Sequence, residues 1–427
     1  MPFHDTTAWH AFRPSTWRRG LLAAAASALL IAACGGGGGS AGLPGSGGTG
    51  FASGPISGFG SVIVNGVRYD DRAAELRDED GQRLSRSGSM GDPLQLGVLV
   101  DLEGRVAADG LSGTADRVVL RPEVIGLVDA VDAAAASLRV LGQAVKVKRT
   151  TVFTGLGGLA DLAAGEVVAV HGLLDDTGAV VATRVERLAP SVAAYTGDFR
   201  IRGPLDSLSG SAPTQSFRVS GLRLRTDAGT VVSGNLANGA LLSVRLAKSP
   251  SEGVYRALRV TVRSPGFAAA SLPRAEIEGF ITRFDSLMAF EVNGFPVRTD
   301  GSTLFEDGTD GVRLGARIEV EGPVVQGVLQ ARRLEIEKLD DNDEGNDDQE
   351  DDASFEFVGT ASEVQGDAVS GRFTVQGQRL SYDSRTRFDD GLVPSQLNGQ
   401  RVEVDAEADG VENGVTRYRA TRVERED

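Results

Sequence analysis

FEVNG at residues 290–294, continued by FPV to residue 297, has apolar residues alternating with polar ones, a two-residue turn, and a return strand. Asn293-Gly294 suits that turn because both residues tolerate positive φ. The same pattern stands at VIVNG (62–66), LRVLG (138–142), FRVSG (217–221) and FTVQG (373–377), so one hairpin is written five times. An internal repeat of this kind governs the architecture more than any single motif does.

The residues around each hairpin repeat with it. A glycine opens a short strand before the hairpin, as GPISGF from 54, GLVDAV from 126, GPLDSL from 203, GFITRF from 279 and GTASEV from 359. Thr-x-aromatic or Thr-x-Val comes next, as TVF at 151, TVV at 230, TLF at 303 and TRF at 386, while the first copy has only AEL at 74. A short turn such as LAAG at 162 or LANG at 236 then leads to a strongly alternating strand, for example VVAVHG (167–172), RIEVEG (317–322) or RVEVDA (401–406). Every copy closes on Ala-x-Arg-Val/Leu, at 115, 182, 257, 331 and 420.

Five short strands per copy, with one helical turn at most, predict an all-β chain: a tandem array of about five small five-stranded barrels, since closure removes exposed sheet edges. The copies are assigned to 54–125, 126–196, 197–270, 271–338 and 354–427. Units this small bury only about 60% of their unfolded surface, so neighbours are expected to pack together. Ala and Arg two apart would share a strand face, so the closing strand must bulge or lay its arginine along the surface.

The initial Gly-x-Ile/Val, the Phe-x-Val-x-Gly hairpin, Thr-x-Phe, Gly-x-x-Val-x-Val-x-Gly and the final Ala-x-x-Val/Ile resemble a bacterial domain of unknown function found in tandem in secreted proteins and lipoproteins. The resemblance covers nearly all of residues 54–424 and is cleanest at 279–337. It implies an OB-like fold for each barrel and carries no agreed activity or site.

Ahead of the repeats, Arg13, Arg18 and Arg19 precede the apolar run GLLAAAASALLIAA and then Cys34. The pattern is that of a signal peptide over 1–33, too short to span a bilayer. Ile31-Ala32-Ala33-Cys34 is similar to a bacterial lipobox, so Cys34 is the expected lipid attachment site, carrying palmitate or a similar acyl chain. Gly35 after it favours sorting to the outer membrane. Residues 34–53 read as a tether, with ten glycines between 35 and 50 and an r.m.s. span of about 22 Å. With Cys34 the only cysteine, no disulfide is available.

The 427 residues carry a formal charge of -15. Loss of 1–33, with its three arginines and Asp5, takes that to -17. An acidic chain with 6% aromatics is a poor partner for nucleic acid. A second linker, 339–353, contains DDNDEGNDDQEDD. Asp340, Asn342, Glu344, Gly345 and Asp351 imitate a calcium loop there, but flanking helices and the bidentate Glu are missing, so no metal site is assigned.

Other candidates have plain readings. Arg117, Arg184, Arg259, Arg333 and Arg422 could line an anion face, but Glu103, Glu321 and Asp405 stand at equivalent places on the preceding strand, which favours structural ion pairs. His171 and Ala247 hold those places in the other two copies. His171, the only histidine after the signal segment, reads as a surface residue, and no catalytic or zinc set can be formed around it. GLGGLADL from 155 lacks the context of a dinucleotide loop. No cofactor is expected. The sequence therefore points to a nonenzymatic, lipid-anchored cell-envelope scaffold or binding protein, with an envelope protein or glycan as partner. The alternative is a binder of small ligands or glycans in inter-barrel grooves.

Overall fold

The computed structural model describes residues 50–59, 61–87, 92–108, 110–263, 267, 271–337, 355–412 and 415–426, within the compact unit Gly47–Asp427. The signal segment, Cys34, most of the tether and the acidic linker lie outside the described residues.

The second copy shows the plan. Its strands are Val124–Asp132, Ser137–Val140, Gln143–Thr154, Val167–Leu174 and Val180–Ala189. The first pairs antiparallel with the second and the fourth, the second with the third, and the fourth with the fifth. A parallel pairing of third with fifth closes the ring. The ring order is thus 1-2-3-5-4-1, and the same pairings recur in every copy, with the first, third or fifth strand broken in some. The chain is all-β, a tandem of small five-stranded barrels.

Each recurring residue has a physical task. The turn pairs Asn65-Gly66, Leu141-Gly142, Ser220-Gly221, Asn293-Gly294 and Gln376-Gly377 all have positive φ at both positions, as a tight hairpin turn requires. The opening glycines lie inside the first strand, not at its start, and face those turns. A Cβ on Gly54, Gly126, Gly203, Gly279 or Gly359 would come within 2.1–2.8 Å of the side chain of Asn65, Leu141, Ser220, Asn293 or Gln376. The opening glycine therefore makes room for its own hairpin to fold back.

The closing arginines explain the bulge. Arg184 is opposite His171 while Ala182 is opposite Gly172, so Thr183 is the extra residue. Asp116, Leu258 and Thr421 are skipped in the same way. The extra residue turns both Ala182 and Val185 into the core, where simple alternation would have sent one of them out. The threonine before the parallel pairing holds this bulge. Thr151, Thr230, Thr303 and Thr386 each donate Oγ1 to the bulge carbonyl of Ala182, Ala257, Ala331 or Ala420 at 2.7 Å. Each hydroxyl also accepts an N–H from three residues earlier, at 2.9–3.0 Å. In the first copy Ala74 takes this place and the hydroxyl clasp is missing.

The barrels are fused, not strung. Copies one and five share one hydrophobic cluster, from Ile56 and Val64 to Phe357 and Val404. Copies two and three share another. Leu99, Leu173 and Phe280 join copies one, two and four. The first strand, Gly50–Phe59, runs parallel to Ser271–Ser286 at Gly50–Ser53 and to Phe355–Thr360 at Gly58 and Phe59. That strand starts at Gly50, inside the segment read as tether.

Thr303→Val keeps shape and removes the donor, so it should destabilise the fold by about 1–3 kcal/mol through a stranded carbonyl. Urea denaturation of the full chain reads this; an unchanged midpoint would contradict the clasp.

Candidate functional site

The repeated arginines diverge once they leave the bulge. Arg117 faces Glu103 across the strands at 3.1 Å, both half-exposed. Arg422 reaches Asp405 at 2.7 Å and Glu424 at 2.6 Å. Arg333 is opposite Glu321 in register but pairs with Glu306 at 2.6 Å, and also with Glu335, while Glu321 binds Arg274 at 3.1 Å. Arg184 is buried, donating to the Leu96 carbonyl at 3.2 Å. Arg259 is opposite Arg245, not Ala247 as the spacing suggested, because Ala247 lies past the end of the strand Leu241–Leu246, where its N–H binds the Arg256 carbonyl at 3.0 Å. No common anion face forms from these five.

His171 is a clearer correction. It is buried where copies one and two meet, and its Nδ1 accepts the N–H of Leu99 at 3.2 Å. Burial, with the Arg184 cation next, holds its pKa down at about 3. The imidazole is neutral at physiological pH with its acceptor nitrogen engaged. The alternating pattern VVAVHG placed His171 on a strand but could not show that a second barrel covers that strand.

The most concentrated charge in the described residues lies between copies one and three. The strand Glu75–Asp78 ends in a turn, and Asp78-Glu79-Asp80 enters the arginine-lined flank of the third barrel. Glu79, its side chain 0% exposed, meets Arg200 at 3.0 Å, Arg202 at 3.3 Å, Arg263 at 2.8 Å and the Ser243 hydroxyl at 3.0 Å. Burial alone would raise its pKa, but Arg202, Arg263 and Arg200 outweigh it and hold the carboxyl at about 2. Asp80 meets Arg200 at 2.9 Å, Arg245 at 3.4 Å and Arg259 at 3.8 Å. Glu123 completes the cluster, 3.2 Å from Arg202. The alternation FRIR at 199–202 and the run RDED at 77–80 were visible signals, yet nothing in the sequence joins segments so far apart.

A second cluster ties copies one and five. Arg68, in the first hairpin, meets Glu356 at 2.6 Å, Glu426 at 2.7 Å and Glu403 at 3.1 Å. Burial, with Glu403 nearby, pushes Glu356 up to about 7 despite Arg68. GLGGLADL is a core plug: Leu156, Leu159 and Leu162 are buried, and the Gly157 N–H binds Asp161 at 2.9 Å. An open depression lined by Arg72, Glu75, Leu76, Arg83 and Arg86 has its charges paired through Glu75–Arg83 and Asp71–Arg86. Among the described residues no group of three or more His, Cys, Asp or Glu could hold a metal ion. No described helix is long and apolar enough to cross a membrane.

Fold and charge clusters together define a repeat protein of fused small barrels. The model of one family, a domain of unknown function (DUF5666), matches residues 125–186, 202–261, 278–335 and 358–424, and the chain belongs to that family. The copy with Ala74 in place of threonine lies outside those four matches. No curated protein matches the chain. A solved structure titled drosophila Unr CSD456 is similar at 14% identity, over 53% of this chain and 96% of that one, with a TM-score of 0.13, too low to carry an argument.

Two outcomes are expected. Glu79→Ala leaves three arginines facing an empty buried site and should cost about 3–5 kcal/mol in chemical denaturation; a loss under 1 kcal/mol would mean that the cluster is not buried in solution. His171 stays neutral in the fold while the unfolded chain takes up a proton near pH 6.5, so its own contribution to stability should fall as pH drops below about 6.5, by up to about 1.4 kcal/mol per unit, while Glu356, held at about 7, contributes in the opposite direction. The stability difference between His171→Asn, which can still accept from Leu99, and the wild-type chain should therefore change in favour of the variant by up to that amount per unit between pH 6.5 and 5; a difference that does not change with pH would exclude His171 as a source of pH dependence.

Proposed function

We propose that the protein is a nonenzymatic, lipid-anchored scaffold or binding protein of the bacterial cell envelope, held to the outer membrane through an acyl chain on Cys34. One observation carries the reading: the residues that recur from copy to copy are taken up by the fold. The opening glycine accommodates the hairpin, the turn pair reverses the chain, the threonine holds the bulge, and the arginines bind carboxylates or backbone. What repeats is therefore architecture, and repeated surface suits binding better than a single deep site. Glu79 and His171 keep fixed protonation states near neutral pH, and Glu356, raised to about 7, is engaged by Arg68 in the contact between copies one and five. The ring order with its parallel third and fifth strands supports an OB-like reading of each barrel. Groove binding between barrels has less support, because Glu79 and Arg68 already fill the interfaces between copies one and three and between one and five.

Metabolic labelling with a palmitate analogue, followed by crosslinking in intact envelopes, tests this. The wild-type chain should take up label and crosslink to an envelope partner, and Cys34→Ala should lose the label. Label retained by the variant would remove the anchor, and the absence of any crosslinked partner would remove the scaffold role.

A further inference from the structure

The third barrel carries a sheet face that the rest of the molecule does not use. Its first strand, Phe199–Ser211, extends into a hairpin with Thr214–Val219 and Leu222–Arg225. Leu205, Phe217, Val219 and Leu224 line the buried side. The other side exposes Arg218, Arg223 and Arg225, and Arg218 stands directly opposite Arg223. Arg225 is beside Arg256, which has only Asp227 at 3.7 Å. Asp206 is across from Arg218 on the first strand, but it accepts the Ser207 hydroxyl and is not within ion-pair distance of the arginine. Among the described residues no carboxylate makes an ion pair with Arg218, Arg223 or Arg225.

Like charges directly opposite on a sheet oppose folding. In a chain of net charge -15, with 59 Asp and Glu to 44 Lys and Arg, leaving three arginines together without acidic partners is a cost with no structural return. We infer that this face binds an anionic polysaccharide, its arginines taking the carboxylate or phosphate groups of successive sugars. The face is open and flat, so it suits an extended polymer. Cross-strand neighbours stand about 4.5–5.5 Å apart, and Arg223 and Arg225 about 6.8 Å apart along their strand. Guanidinium groups bind carboxylate and phosphate with two parallel hydrogen bonds. The other exposed side chains of the hairpin include Ser209, Ser211, Thr214 and Ser216, hydroxyls suited to sugar hydroxyls. No exposed aromatic on this hairpin offers a stacking platform for bases, and the hairpin itself exposes no large apolar side chain, Val231 and Val232 lying on the strand that follows it. The inference deepens the binding role proposed above and rests on it only for where the polysaccharide is met; the site itself does not depend on the anchor.

The test is binding of the purified full chain to polygalacturonate, with neutral dextran, polyglutamate and phosphatidylglycerol vesicles as further arms. The expected result is retention of polygalacturonate alone, weakening steeply between about 50 and 200 mM salt. Arg218→Glu with Arg223→Glu should lower that affinity at least tenfold with circular dichroism unchanged. Reversal of Arg283 and Arg385, exposed arginines already paired with Asp285 and Asp383, should change it less than twofold. Without ligand, Arg218→Gln should raise the melting temperature by relieving repulsion. The inference is overturned if polygalacturonate is not retained, if both double variants bind alike, or if polyglutamate or vesicles bind more tightly. Because the assay is free of the envelope, its failure leaves the Cys34 result standing, and the reverse also holds.

Discussion

A threonine hydroxyl bound to the carbonyl of a bulged alanine is the contact on which each of the last four barrels turns. The fifth strand must place an alanine and a valine or leucine three residues apart in one small core, which a regular strand cannot do. The bulge solves this and leaves a carbonyl out of register. Thr151, Thr230, Thr303 and Thr386 receive that carbonyl while pinning the strand that closes the ring in parallel. The first barrel, with Ala74, closes its rim differently, through Asp78 N–H to Gln82 and Leu84 N–H to Leu76, each at 2.9 Å. The turn made this way carries Glu79 and Asp80 into the third barrel, so the copy that departs from the pattern is also the one that binds its neighbours.

Much of this plan was legible. Asn293-Gly294 and its four counterparts announced a hairpin because glycine at positive φ leaves a mark in sequence. Ala-x-Arg-Val announced either a bulge or an arginine laid along the surface, because its spacing contradicts strand alternation, and the bulge is what forms. What repeats within the chain is local, and local structure is what periodicity and turn chemistry encode.

The partnerships between barrels were not legible. His171 had the sequence environment of a surface residue, and its burial depends on Leu99, 72 positions away. Ala247 was set opposite Arg259 by counting, but the strand ends at Leu246 and the residue opposite Arg259 is Arg245. Glu79 is separated from Arg263 by 184 positions, and an acidic run reads the same whether it meets water or arginine. Buried ion clusters of this kind add little net stability over apolar packing, but losing one partner is costly. They therefore specify which barrel faces which, while the shared apolar clusters supply the adhesion.

The central claim is that five copies form one body through the first barrel and not five independent beads. Hydrogen exchange followed by mass spectrometry across a denaturant series tests it directly, because protection can be read barrel by barrel. If the claim holds, the core amides of all five barrels lose protection at one denaturant concentration, and that common midpoint moves when Glu79 is replaced. Separate midpoints for those barrels, with only the first responding to the loss of Glu79, would contradict it.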